Sequence, residues 1–301
     1  MNGHRKIPLF FLALAMSFQT LAQKQDSLRN SLSSEKILLL NTLWSESGNA
    51  AGLQSFDIQY RLGTARLLHQ HENGDYHRFQ EGEKQNQYGF QTYGYQKLNN
   101  WKFYGAFSYY SQEEKKVKWV DVLNPYDDNP YTLGDATGGT YRKEFFDMQV
   151  RGALKLSSLI DLGFDVKYQT GVGARRKDPR PTNKATEFDF KPGIVFRPGK
   201  FMAGLNLHIE TAKEDMSLKT LSDSTYNFYH FRGMGVYSTT TEMDDRSNQS
   251  TLLGAGLQLG WKGDRLSNLT EISFFQKETD IKRGKLSPIQ LVLLEKFQTD
   301  A

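Results

Sequence analysis

Alternation of apolar and polar residues dominates the chain from residue 56 onward. The clearest case is 160–169, where apolar side chains at even positions alternate with polar residues or glycine at odd ones. A period of two predicts a β-strand with one apolar and one polar face. The same pattern recurs at 56–62, 88–96, 101–109, 146–156, 188–196, 201–209, 253–261 and 270–274. The sequence therefore predicts an all-β protein with about nine strands.

The connections between these strands alternate between short and long. Short turns lie near residues 99, 157, 198 and 264, and long polar connections cover roughly 70–86, 112–142, 171–186 and 212–249. Short periplasmic turns with long external loops are typical of outer-membrane barrels. The predicted fold is a transmembrane antiparallel up-and-down β-barrel. Because such barrels have even strand numbers, either the run Ile289–Leu294 supplies a tenth strand or the barrel is truncated at its C-terminus.

The first 54 residues differ in character from the rest. Residues 1–22 combine Arg5 and Lys6, an apolar run and a small-residue site at Ala22, which together predict a cleaved signal peptide. Residues 23–54 form a polar periplasmic lead-in, with apolar residues at helical spacing from Ile37 to Trp44 that predict a short amphipathic helix ending at Gly48. Residues 55–301 are assigned to the barrel.

Composition is consistent with an exported protein and excludes some classes of binding partner. The chain has no cysteine, which excludes disulfides and a lipoprotein anchor, and its net charge of only +4 argues against nucleic acid as a partner. Mean hydropathy is −0.61, as expected when only every second strand residue meets lipid. We expect localisation in the outer membrane of a Gram-negative bacterium. The expected partners are outer-membrane lipid, lipopolysaccharide bound by the basic stretch 175–184, and a small-molecule or hydrophobic cargo.

Strand parity assigns side chains to faces. The candidates for the barrel lumen are Asp161, Asp165, Lys167, His208 and Glu210. Aromatic residues beside the turns and loops are candidates for the two membrane girdles, namely Trp101, Tyr109, Tyr168 and Trp261.

Candidate chemistry is sparse. His208 would need an activated serine for hydrolysis, and no Gly-x-Ser-x-Gly elbow occurs, so we expect no enzyme. His69, His71 and His77 near the first long connection lack a well-placed third ligand, and they fit a solvated loop better than a metal site. No cofactor and no metal are predicted.

Two resemblances extend this interpretation. The segment Leu43–Leu53, with Tyr76–Arg78 and Trp101–Gly105, resembles an uncharacterised outer-membrane β-barrel family of Bacteroidota-type bacteria. That family has no activity to transfer. The stretch Asn49–Leu53 also resembles the pre-barrel segment of the long-chain fatty acid channel family, although Ala50 replaces a proline. That resemblance implies a plug involving Asn49, Gly52 and Leu53, and the alternative is a glycine-containing turn.

These patterns favour a passive channel or transport-related pore. A non-transporting surface or scaffold barrel is the main alternative, and a barrel-borne hydrolase is the third.

Overall fold

Strands account for most of the chain. The computed structural model describes residues 43–56, 62–126, 129–263, 266–284 and 292–300. A 3₁₀ helix, Ala50–Ser55, precedes the strands. The strands are β1 Leu62–Asn73, β2 Lys84–Leu98, β3 Trp101–Val117, β4 Leu133–Asp135, β5 Gly139–Lys155, β6 Ile160–Arg175, β7 Arg180–Phe196, β8 Phe201–Lys219, β9 Phe228–Phe231, β10 Tyr237–Thr240, β11 Arg246–Lys262, β12 Ser267–Arg283 and β13 Val292–Asp300. No helix among these residues has the length and apolar content needed to cross a membrane.

The long strands form one antiparallel meander. Ten of them follow the order β1-β2-β3-β5-β6-β7-β8-β11-β12-β13. The remaining three, β4, β9 and β10, form a small sheet inside two of the loops. In the described residues, β1 and β13 each pair with a single neighbour, β2 and β12. The predicted all-β antiparallel architecture is confirmed, and β13 supplies a tenth strand at Val292–Asp300.

The two faces of the large sheet are reversed relative to a soluble protein. Large apolar side chains are exposed on one face, for example Leu205 at 50%, Leu253 at 58% and Phe274 at 67%. The opposite face buries polar residues, among them Asp165 at 5% and Gln258 at 0% exposed. A soluble sheet buries its apolar face. The arrangement is the one expected if hydrocarbon surrounds the sheet.

The strands are longer than the sequence pattern predicts. The predicted long loop at 171–186 is wrong, because β6 and β7 extend through it and leave only residues 176–179 as the connection. Residues 171–186 are mostly polar and lack the regular apolar side chains of the other strands. A segment without apolar alternation is predicted as a loop. Phe56 does not begin a strand either, since it ends the 3₁₀ helix through a backbone hydrogen bond to Leu53.

The predicted amphipathic helix lies mainly outside the described residues. At its end, Trp44 belongs to a turn in which its carbonyl accepts a hydrogen bond from the Ser47 amide at 3.3 Å. Trp44 is buried, at 2% exposed.

Residues 44–56, here called the inner segment, pack against the polar face. Lys102 of β3 donates to the carbonyl of Gln54 at 2.7 Å, while the Gly48 amide donates to Glu271 of β12 at 3.3 Å. Seven strands from β3 to β12 laid flat would span about 29 Å. Residues 48–54, most of which belong to the 3₁₀ helix, span only about 15 Å. The sheet therefore curls around the inner segment.

The connection between β3 and β5, here called the capping loop, folds onto the other end of the strands. It comprises residues 118–138, of which 127 and 128 are not described. β4 of this loop pairs with β9 of the β8–β11 connection. Arg175 at the end of β6 forms ion pairs with Asp121 at 3.3 Å and with Asp135, and all three side chains are essentially inaccessible. Burial raises the pKa of Asp121 well above its usual range, and the neighbouring Asp135 adds to the shift.

Arg175→Ala should release the capping loop. It leaves two buried carboxylates without their cation, which costs about 3–5 kcal/mol. Trypsin cleavage after Lys118 should therefore become much faster than in the wild type. Arg176→Ala is the matched control because Arg176 is exposed and outside this ion pair. Equal cleavage rates in the two variants would show that the buried pair does not hold the loop.

Candidate functional site

The centre of the inner segment is Asn49, whose side chain joins three strands. Its Oδ1 accepts a hydrogen bond from the Ala51 amide at 3.1 Å and so caps the 3₁₀ helix. Its Nδ2 donates to the carbonyls of Ile194 at 3.1 Å and Leu205 at 3.2 Å, and to Oε1 of Gln258 at 2.9 Å. A side chain of aspartate could not make these donor contacts.

Small residues allow the inner segment to lie directly on the sheet. A Cβ added to Gly163 would overlap the backbone of Ala51, and one added to Gly193 would overlap Oδ1 of Asn49. Within the segment, a Cβ on Gly52 would lie 2.7 Å from Trp44. Leu53 is 2% exposed. The structure thus places the plug candidates Asn49, Gly52 and Leu53 in one buried unit on the polar face.

The five lumen candidates lie on this same polar face, by the strand register. Asp161 pairs with Arg197 at 2.9 Å, and Asp165 pairs with Arg151 at 2.6 Å and accepts from Gln149. Both aspartates are about 5% exposed. Each aspartate thus belongs to an ion pair close to the inner segment. Lys167 is half-buried and lies further along β6.

His208 and Glu210 meet a third residue, Asp189, that parity analysis did not single out. His208 Nε2 lies 3.1 Å from Oδ1 of Asp189 and 3.6 Å from Oε2 of Glu210. Lys191 Nζ lies 2.8 Å from the other oxygen of Asp189. Asp189 alternates with Phe188 and Phe190, and this alternation could have assigned it to the polar face. Its position opposite Glu210 depends on the pairing of β7 with β8.

This cluster is the part of the described structure best able to hold a metal ion. One ligand atom each from Asp189, His208 and Glu210 lies within 4.8 Å of the others. Lys191 already supplies a positive charge to Asp189, so an added cation would meet electrostatic repulsion. Within the described residues, no hydroxyl group is hydrogen-bonded to His208.

The girdle candidates mark two levels along the strands. Trp101 begins β3 and Trp261 lies next to the end of β11, both beside short turns. Tyr109 and Tyr168 lie in mid-strand, so the expectation that they adjoin the long loops is wrong, because β3 and β6 continue well beyond them. Eight residues separate Trp101 from Tyr109, about 27 Å along the strand. With a strand tilt of about 40°, this length corresponds to about 20 Å along the membrane normal, so a lipid-facing band about 25 Å tall would extend slightly beyond the level of Tyr109.

The capping loop covers the polar face beyond that level. The carbonyl of Leu123 accepts from Lys143 at 2.9 Å, and its amide donates to Glu214 at 2.9 Å. Asn183 of β7 donates to the carbonyl of Asp121 at 2.9 Å. In the adjoining small sheet, burial and the nearby Arg246 lower the pKa of His230 to about 4, which keeps its imidazole neutral at physiological pH.

Comparison with known proteins finds solved structures of low similarity and one family model. No curated protein matches the chain. Among solved structures, the ferric yersiniabactin uptake receptor FyuA from Yersinia pestis is 11% identical, with a TM-score of 0.44, 80% of this chain covered and 38% of that chain. The siderophore receptor PiuA from Acinetobacter baumannii is 10% identical, with a TM-score of 0.45, 80% of this chain and 42% of that chain covered. The chain thus spans about two fifths of the length of these receptors.

A family model extends over nearly all of the described sheet. The match covers residues 50–300, from the 3₁₀ helix to the last strand, and its description is Family of unknown function (DUF6850). The expectation of an uncharacterised family is confirmed, and the chain belongs to the family of unknown function DUF6850.

Proposed function

We propose that the protein is an outer-membrane β-barrel that forms a transport-related pore, held closed by the inner segment. The proposal includes export by the signal peptide 1–22 and insertion of the long strands into the outer membrane. The observation that carries it is the reversed sheet, with apolar side chains outside and a polar face curled around residues 44–56.

The outward apolar face supports membrane insertion. Exposed residues such as Leu207, Leu257 and Ile272 are each about half exposed and continue from strand to strand. An apolar surface shared by so many strands is far larger than the patches that soluble monomers expose. Contact with hydrocarbon removes it from water.

The polar interior supports a pore that is closed at rest. The inner segment fills the polar face at the short-turn end, where Gln54 donates to the carbonyl of Asn100 at 2.9 Å. Its contacts are mostly hydrogen bonds to backbone carbonyls and small-residue contacts, which a rigid displacement would break together. We therefore assign the inner segment the role of a plug.

A non-transporting surface barrel is the second candidate. Buried ion pairs hold the capping loop over the polar face at the other end, and Lys143 joins Glu114 there at 3.0 Å. A permanently closed outer end would suit a scaffold. Opening of the plug without conductance would favour this candidate.

Membrane insertion predicts opposite results for two neighbouring substitutions on β12. Ile272 is exposed on the apolar face, while Ser273 lies on the polar face beside Glu271, to which it donates at 3.4 Å. Ile272→Arg should impair assembly, because arginine near the membrane midplane costs about 2–4 kcal/mol. Ser273→Arg should assemble normally. The measurement is the yield of heat-modifiable protein in the outer-membrane fraction, and equal yields would contradict the assignment of faces.

The plug role predicts that Gly163→Val opens the pore. Valine suits a strand but overlaps Ala51, so the inner segment must leave its place. Gly105→Val is the control, since an added Cβ there meets nothing within 4 Å. Conductance in planar bilayers should rise for Gly163→Val only.

A cysteine at Leu53 reports the plug position independently, because the chain has no other cysteine. Leu53→Cys should be protected from an aqueous thiol reagent, and adding Gly163→Val should make it reactive. Unchanged protection together with unchanged conductance would refute the plug. Reactivity without conductance would identify a non-transporting barrel.

A further inference from the structure

We infer that a basic cavity at the outer ends of β2, β3, β5 and β6 binds the phosphate groups of outer-leaflet lipopolysaccharide. The inference rests on the proposed membrane location and adds a specific lipid site to it. Its chemistry is the pairing of several cations with a phosphorylated headgroup.

Cations from three separate segments converge on this cavity. Its volume is about 590 Å³, and Thr140 and the glycine pair 138–139 complete its wall. The cations that line it are Lys84, Lys115, Lys116, Lys118, Arg176 and Lys177. Strand pairing brings part of this set together, since Lys84 and Lys115 are register partners although they are far apart in sequence. The connections that follow β3 and β6 supply Lys118, Arg176 and Lys177.

Most of this positive charge lacks an internal counterion. Lys116 pairs with Glu83 at 2.6 Å, and Lys115 pairs with Glu113 at 3.6 Å. Glu113 is also bound by Arg142 at 2.8 Å. For the other four cations, the described residues provide no carboxylate within ion-pairing distance. Like charges gathered at one cavity repel one another, and a bound polyanion relieves that repulsion.

The height of the cavity fits a lipid headgroup. Lys84 lies on the same strand face as the exposed Tyr88, four residues beyond it toward the long loops. Arg176, the first residue after β6, lies four residues beyond the exposed Val172. Four residues of a tilted strand correspond to about 10 Å along the membrane normal. The cations therefore stand just above the apolar band, where phosphates of the outer leaflet lie.

The site differs from the basic stretch that the sequence suggested for lipopolysaccharide. Arg175 is internal and paired with aspartates, and Arg180 pairs with Asp178 at 2.6 Å. Of that stretch, only Arg176 and Lys177 reach the cavity, and lysines of β2 and the β3 end supply the rest.

The test uses the purified full chain in detergent micelles with fluorescent bisphosphorylated lipid A as the probe. In the cavity variant, Lys84, Lys118, Arg176 and Lys177 are all replaced by glutamine. The matched control replaces the same number of exposed lysines at the short-turn end, namely Lys97, Lys155, Lys200 and Lys262. We expect at least tenfold weaker binding by the cavity variant and wild-type binding by the control. Wild-type affinity should fall with salt and with lipid A lacking its phosphates.

Equal affinity of the cavity variant and the wild type, or equal affinity for lipid A with and without phosphates, would overturn the inference. Competition by inorganic phosphate at the same concentrations as lipid A would instead show a free-phosphate site and also overturn it. The proposed function is tested by a separate measurement. Recovery of the wild-type protein in the soluble periplasmic fraction would contradict it. The micelle measurement does not depend on that result.

Discussion

Strand register is the constraint on which the rest of this structure depends. Side chains alternate with a period of two, so a slip of one residue between any two strands would exchange their faces. The pairing of β6 with β7 places Asp165 opposite Lys191 and Leu162 opposite Ile194. Polar residues therefore gather inside and apolar residues outside across neighbouring strands. The same register brings Asp189, His208 and Glu210 together and aligns the cations of the basic cavity.

A curled sheet with a polar inner face needs something to satisfy that face. At the short-turn end, the inner segment does this with an asparagine amide, small residues and a buried tryptophan. Gly163, Gly193 and Gly204 leave room for the segment to approach the backbone. The contact is specific because the Asn49 amide is hydrogen-bonded to three strands and a Cβ added at Gly163 or Gly193 would overlap the segment.

The opposite end is closed by charge. Buried ion pairs contribute little net stability, yet removing one partner is costly, so Arg175 acts mainly to fix the position of the capping loop. The strands between the two closures carry the apolar outer face, and the ends beyond the aromatic level carry the exposed cations. In the proposed membrane location, each level along the strands meets a different environment, and its composition fits that environment.

Alternation determined most of the long strands, their faces and the short turns, because a period of two is a local property of the chain. It placed Asp161, Asp165, Lys167, His208 and Glu210 on one face, and the strand register puts them on the polar face of the sheet. The sequence did not reveal the extension of β6 and β7 through residues 171–186, because strand ends beyond the apolar face lose the hydrophobic signal. It also missed Asp189, the burial of Arg175 and the cation cavity. Those features join residues from distant strands, and only the register of the folded sheet and the path of the capping loop decide which of them meet.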